Sequence, residues 1–466
     1  MRTFAIRNDY KMKRTVTIIY FALLFTKFGI AQQSAILDSY IKQGLDNNLA
    51  IQQQNLNLEK SLLALKEANG LFYPNISLES QYTSAKGGRS IDLPIGDLLN
   101  PVYSSLNQIL QNMGTQGGFP EIDNQKIQFL PNDYHDSKMR IILPLINAEI
   151  YYNRKIKREM ISYSQAELYV YKRELVKEIK TAYLRHLQST MVLEAYNSAL
   201  DLVKEALRVN EKLVQNQMIT NDKLYRIKAE LSQVEAQLAK AENDNKSAAS
   251  YFNFILNKPL NSAIITDSIL IDKSNPFSYT TKESANSMRE EYLQLESAIH
   301  TSELYLDMKK AYWIPKISNI TDMGYQGYYL KFNNNQQYLM NTVNLSWPIF
   351  EGFQNRRKIT QAKIDKIVLE KKLNETEQRI ELQEELARNN VESSIKAEKA
   401  NLNSLSSSKE YYKITSRQYA EGQKSLLDLL DARNQLTSSQ INYSIAHFET
   451  LIRNVELERA TATYKF

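Results

Sequence analysis

A proline-flanked strand that opens into a very long run without helix breakers occurs twice in this chain. No Gly or Pro lies between Leu145 and Lys258, and Gly422 alone interrupts the run from Phe353 to Phe466. Both residue types break helices, so stretches of about 110 residues without them permit helices far longer than a globular domain needs. The first run follows Leu143-Pro144-Leu145 and the second follows Trp347-Pro348-Ile349. Upstream, a helical segment ends at Tyr73-Pro74 before one alternating strand and at Ile314-Pro315 before another. The chain therefore reads as two copies of one helix–strand–strand–helix unit, at 32–258 and 282–466, joined by a linker at 259–281.

Inside the runs the apolar residues keep a coiled-coil period. Leu193, Tyr196, Leu200, Val203 and Leu207 are spaced 3-4-3-4, and Leu224, Ile227, Leu231, Val234 and Leu238 repeat that spacing. A period of 3.5 marks helices wound on partners. A fibrous coiled coil would explain these seams but not the strands.

Four segments, near 76–84, 136–146, 317–328 and 338–348, alternate between apolar and polar residues. Ile76, Leu78 and Tyr82 oppose Ser77, Glu79 and Gln81; Leu339, Val343 and Leu345 oppose Thr342, Asn344 and Ser346. Strands of about ten residues with one face of each kind suit a transmembrane β-barrel, and equally a half-buried soluble sheet. Tyr73, Tyr82, Trp313, Tyr325, Tyr328 and Trp347 near the strand ends suit an interfacial belt. A barrel in lipid must close, and known single-chain barrels start at eight strands, so four strands per chain call for several chains in one barrel. The Gly- and Pro-rich stretch 84–133 reads as a loop, with Val102 to Met113 as a short amphipathic helix inside it.

The N-terminus bears on compartment. Lys11, Lys13 and Arg14 precede an apolar core from Val16 to Phe25 and a small-residue site at Gly29-Ile30-Ala31, the pattern of a cleaved secretory signal over 1–31. Met12 is an alternative start. Without these residues 52 basic side chains face 51 acidic ones, so the formal +6 falls to +1 and offers no case for nucleic acid. The absence of cysteine excludes a disulfide framework, thiolate metal sites and a lipid-modified N-terminal Cys. His135, His186, His300 and His447 are scattered, with no metal-ligand spacing, phosphate loop or nucleophile–base cluster, which argues against an enzyme and calls for no cofactor.

Each run carries a polar interruption: Leu213 to Leu224 in the first, and Tyr419-Ala-Glu-Gly422-Gln-Lys424-Ser425-Leu-Leu-Asp428-Leu-Leu-Asp431-Ala-Arg433 in the second. Thr220, Leu224, Lys228 and Leu231 align with Ser425, Leu429, Arg433 and Leu436 at an offset of 205. Gly422 suits a left-handed C-cap, and Ser425 and Thr220 suit N-caps, so each run is expected to fold as a hairpin with its tip near 217–222 or 419–428.

The tip pattern Tyr-x-x-Gly-x-x-Ser-x-x-Asp-Leu-Leu-Asp-Ala, with the duplicated unit and its prolines, resembles the TolC family of outer-membrane efflux factors. The resemblance implies a homotrimer sharing a 12-stranded barrel in outer-membrane lipid. A periplasmic α-helical tunnel with an equatorial belt would continue it. It further implies a periplasmic adaptor and an inner-membrane pump of RND or ABC type as partners. Asp428 and Asp431 match the acidic rings of the periplasmic gate. Tyr419, Gly422, Lys424, Ser425, Thr220 and Asp222 match the tip latch and adaptor contact, with Lys424–Asp222 as the expected latching pair. Pro74, Pro144, Pro315 and Pro348 match strand–helix swivels. Gln217 departs from the family's usual Gly, which puts the first turn's geometry in question. The competing reading is a periplasmic coiled-coil adaptor or scaffold without a pore, against which stand the two hairpins and the few glycines outside the loop. The exported substrate and the class of pump are not legible in the sequence.

Overall fold

A computed structural model describes residues 35–266, 289–464 and 466. The signal segment 1–31 and most of the linker 259–281 lie outside the described residues. The chain runs through helices α1 (Ala35–Asn47) and α2 (Leu49–Gly70), strands β1 (Asn75–Thr83) and β2 (Ser90–Leu93), and helix α3 (Ile95–Asn112). Strands β3 (Gln125–Gln128) and β4 (Tyr134–Ile146) lead into helices α4 (Ala148–Gln215), α5 (Asn221–Ile255) and α6 (Glu290–Lys310). Strands β5 (Lys316–Tyr328) and β6 (Gln337–Ser346) precede helices α7 (Gln354–Ala420) and α8 (Leu426–Ala460). Among the described residues these elements form two compact units, one within 35–62, 159–300 and 366–466, the other of 63–158 and 301–365.

The first unit is helical. At 68 residues α4 is about 100 Å long, as its freedom from helix breakers allows. The main core gathers Tyr40, Ile41, Tyr183, Leu187, Phe252 and Phe448 from α1, α4, α5 and α8. Tyr40, Tyr183 and Phe252 form an aromatic triangle with centroids 5.0 to 5.7 Å apart. Gly44 lets α1 approach it, since a Cβ there would collide with Ile179 and press on Leu256. A smaller cluster of Val203, Ile227, Val234, Leu426 and Leu430 holds the two hairpins together. Part of the predicted seam is its inner face, with Val203 and Ile227 at 1% and 0% exposure.

Ion pairs between residues distant in sequence bind the unit further. Arg173 pairs with Glu290 and donates to the Tyr464 carbonyl at 2.8 Å; Lys180 meets Glu458 at 2.7 Å. Arg459 joins Glu174 at 3.0 Å and Glu291 at 2.8 Å, and Arg289 also reaches Glu291 at 2.9 Å. Burial alone would raise the Glu291 carboxyl; the guanidiniums of Arg289 and Arg459 override it and lower it to about 2.

The second unit holds an antiparallel sheet in the order β1-β4-β5-β6. Register sets one face: Leu78, Met139, Met323 and Leu339 stand in a single row, and Leu78 and Leu339 are 84% and 71% exposed. The other face carries the polar residues Ser77, Arg140 and Asp322 in register, with Met340 closing the row on β6. There Arg140 donates to Asp322 through Nε at 2.8 Å and Nη2 at 2.9 Å, and pairs with Glu79 at 3.1 Å. Gly324 permits close strand pairing, because a Cβ would strike the Ser137 carbonyl. Both outer strands, β1 and β6, have one partner strand each.

The stretch 84–133 is more ordered than a loop. Strands β2 and β3 pair, and α3 starts at Ile95, seven residues before the expected Val102, with Pro101 inside it. The sequence hid this because four-residue strands carry little periodicity and Pro101, the seventh residue of α3, reads as a helix breaker. Asn100 and Asn107 clamp the returning chain, each exchanging two bonds of 2.7 to 2.9 Å with Ile122 and Phe119 respectively. Strand β6 stops at Ser346, short of the expected 348.

Candidate functional site at the hairpin tips

The two hairpins end in the same turn. After α7, the Gly422 amide donates to Tyr419 O at 3.0 Å and the Gln423 amide to Gln418 O at 2.8 Å. After α4, Gln217 donates to Val214 O at 2.9 Å and Met218 to Leu213 O at 2.8 Å. Both are the paired bonds of a Schellman cap, which needs a left-handed residue. Gly422 supplies it at φ +76°, and Gln217 adopts it at φ +57°. The departure at Gln217 therefore leaves the turn unchanged, at a cost of about 1 kcal/mol for a side chain in that region.

The two helix starts differ. Ser425 makes a capping box: its hydroxyl accepts from the Asp428 amide at 3.2 Å, while the Asp428 carboxylate accepts the Ser425 amide at 2.9 Å. The Ser425 hydroxyl, the Ser425 amide and the Lys424 charge hold the Asp428 carboxyl below its usual range. Thr220 stands at the matching N-cap without a side-chain bond to the helix backbone. Three residues on, copy one has Lys223 in place of an acid, so no box can form. The Thr220 hydroxyl bonds Asp222 instead and lowers its carboxyl. Asp431, one turn beyond Asp428 at i+3, is exposed.

Two contacts that the sequence did not disclose cross between the hairpins. The Tyr419 hydroxyl donates to Asn210 Oδ1 at 2.8 Å, and Asn210 is fully buried, its amide nitrogen held by Ala206 O at 2.8 Å. Burial raises the Tyr419 pKa and the bond to Asn210 lowers it, the net shift being upward. Arg433 pairs with Glu230, and the side chains are 4% and 5% exposed. A lone Asn on a helix carries no signal of this kind; the nearest hint was Arg433, polar in an apolar seam. Among the described residues no ion pair joins Lys424 to Asp222. Lys424 is exposed and acts on Asp428.

Of the four prolines, Pro74 and Pro315 stand directly before β1 and β5, and Pro348 follows β6. Pro144 lies inside β4 at a register shift between Pro144 and Ile146, where a residue without an N–H fits. Among the histidines, His135 meets the Lys331 carbonyl at 3.0 Å and His447 meets Glu398 at 2.7 Å. Burial depresses the His186 pKa. Among the described residues no His, Asp and Glu cluster suits a metal ion, and no helix is long and apolar enough to cross a membrane.

The family model described as outer membrane efflux protein matches residues 283–463. No curated protein matches the sequence. Solved structures match nearly the whole chain. The CmeC outer membrane channel of Campylobacter jejuni aligns over 92% of this chain and 85% of its own, at 13% identity and TM-score 0.70. The open state of the MtrE outer membrane channel of Neisseria gonorrhoeae aligns over 91% and 88%, at 15% identity and TM-score 0.70. The outer membrane protein VceC of Vibrio cholerae aligns over 91% and 95%, at 13% identity and TM-score 0.68. Residues 283–463 thus match the outer membrane efflux protein family, and the described residues share the fold of solved outer-membrane channels.

Proposed function

We propose that the chain is the outer-membrane exit duct of a tripartite efflux or type I secretion system, a passive conduit opened by a periplasmic adaptor and an inner-membrane pump. The observation that carries this reading is the sheet. Its four strands present an exposed apolar row on one face and charged residues on the other, and both β1 and β6 lack an outer partner. Lipid tolerates no open edge, so three copies joined β6 to β1 give a closed 12-stranded barrel. An adaptor without a pore has no use for an apolar sheet face with open edges.

In this reading Asp428 and Asp431 from three copies face one axis and form a cation-selective constriction, since crowded carboxylates attract cations. The Tyr419–Asn210 bond and the Arg433–Glu230 pair hold each chain's hairpins together in the closed state. Gly422, Ser425, Thr220, Asp222 and Lys424 present the tip surface that meets the adaptor, and the four prolines let strands turn into helices. Oligomeric state in detergent tests it: a heat-resistant trimer extracted from the outer membrane is expected, and a monomer washed off by salt would refute it.

A further inference from the structure

The cations of the sheet unit gather at one end. The start of β1, the end of β4, the start of β5 and the end of β6 lie together, as the registers Asn75↔Ile142, Ile146↔Ile317 and Lys316↔Ser346 show. The segments that leave this end, residues 63–74, 147–158, 301–316 and 347–365, hold 12 basic side chains and 6 acidic ones. The segments at the opposite end, 84–133 and 329–336, hold 4 basic and 5 acidic. The formal charge of +1 left after the signal segment is therefore not spread evenly; one rim of the sheet is strongly positive.

Among the described residues most of these cations pair with no carboxylate. Lys310 pairs with Asp307 at 2.9 Å and Lys316 with Glu149 at 2.7 Å. Arg154, Lys155, Lys157 and Arg158 on the first turns of α4 form no ion pair among the described residues. Nor do Arg356, Arg357 and Lys358 on the first turn of α7, all three exposed. Several lie instead over aromatic rings: Arg154 over Phe72 at 5.8 Å, Lys155 over Tyr151 at 4.6 Å and Lys309 over Tyr305 at 4.6 Å. Trp313, Phe350 and Phe353, in the same segments, are 63%, 72% and 67% exposed. Exposed aromatics with unpaired cations at the edge of an apolar sheet face are the chemistry of a membrane interface, where rings sit among headgroups and cations meet phosphate.

We infer that this rim is a collar that binds anionic phospholipid headgroups, an inference that rests on the outer-membrane reading above. The apolar row of the sheet meets acyl chains, the exposed rings lie at the headgroup level, and the unpaired Arg and Lys side chains hold phosphates at the rim where strands become helices. The opposite rim, with its slight acidic excess, has no such preference, so the collar also fixes which end faces the phospholipid leaflet.

The test is lipid selection by the whole oligomer in nanodiscs of phosphatidylcholine with a minor fraction of phosphatidylglycerol. Native mass spectrometry counts the retained lipids. One basic side chain at such a surface enriches an anionic lipid about fivefold, so an enrichment of at least that size is expected, falling toward none in high salt. Arg356→Gln/Arg357→Gln/Lys358→Gln and, on a separate helix, Arg154→Gln/Lys155→Gln are each expected to reduce it several-fold. Lys86→Gln/Lys331→Gln at the other rim is expected to leave it unchanged. Equal retention of both lipids, an equal loss in the opposite-rim variant, or displacement of the lipid by inorganic phosphate at matched concentration would overturn the collar. Failure of the wild type to enter the bilayer would overturn the outer-membrane reading itself.

Discussion

Replacing Tyr419 with Phe removes one hydroxyl and leaves the ring in place against the apolar tip cluster. The lost bond is the 2.8 Å link to Asn210, whose own amide nitrogen is committed to Ala206 O. Asn210 is 0% exposed, so its Oδ1 would stay buried without a donor. Such an orphaned acceptor costs about 1–3 kcal/mol, against about 1 kcal/mol for a bond whose groups regain water. If opening the tip lets water reach Asn210, that cost falls on the closed state alone, and about 1.4 kcal/mol of it shifts the closed-to-open ratio about tenfold. In a planar bilayer Tyr419→Phe is therefore expected to spend more time in high-conductance states, with amide exchange of the tip segments accelerated and the helical core unchanged. Asn210→Leu/Tyr419→Phe, which removes both polar groups, is expected to recover much of the loss. Conductance and exchange in Tyr419→Phe identical to wild type would refute the reasoning, as would a double variant worse than the sum of its parts.

Further expectations follow from the same geometry. Glu230→Gln strands the buried Arg433 charge and is expected to lower stability by about 3–5 kcal/mol, whereas Glu230→Leu/Arg433→Met restores most of it; thermal unfolding of the detergent-solubilised protein measures both. Gln217→Gly relieves a left-handed side chain and is expected to stabilise the first tip by about 0.5–1 kcal/mol, while Gly422→Ala costs the second about 1 kcal/mol. For Glu291 the folded carboxyl lies at about 2, below its ordinary 4.5. Its contribution is thus complete above pH 4.5 and lost as the pH falls from there toward 2. Glu291→Gln should flatten the melting temperature across that window, and an unchanged slope would dismiss the Arg289–Glu291–Arg459 network as a source of stability.

The parts of the fold that were legible in sequence are those fixed by local rules. Missing helix breakers marked α4–α5 and α7–α8, alternation marked the four long strands, and Gly422 and Ser425 marked the second tip. The turn at Gln217 was less legible, because it runs on hydrogen bonds that a glutamine satisfies at a modest cost. The ion network was hidden for a different reason: Arg173 and Glu290 are 117 residues apart, and Arg459 and Glu174 are 285 apart. Charges on long helices usually serve as a solvated face, and nothing local separates these from that background. Asn210 was hidden likewise, since its partner lies 209 residues away.

The acidic residues must be separated before the gate is tested. Asp428 caps a helix through Ser425, so its substitution weakens the tip, whereas exposed Asp431 has no part in the capping box. Single-channel conductance in a planar bilayer, of wild type, Asp431→Asn and Asp428→Asn/Asp431→Asn, tests the duct and its gate directly. A small cation-selective conductance that a trivalent cation blocks, with the block weakened in Asp431→Asn and abolished in the double variant, is the expected result. A folded oligomer that enters the bilayer and conducts nothing would contradict the central claim.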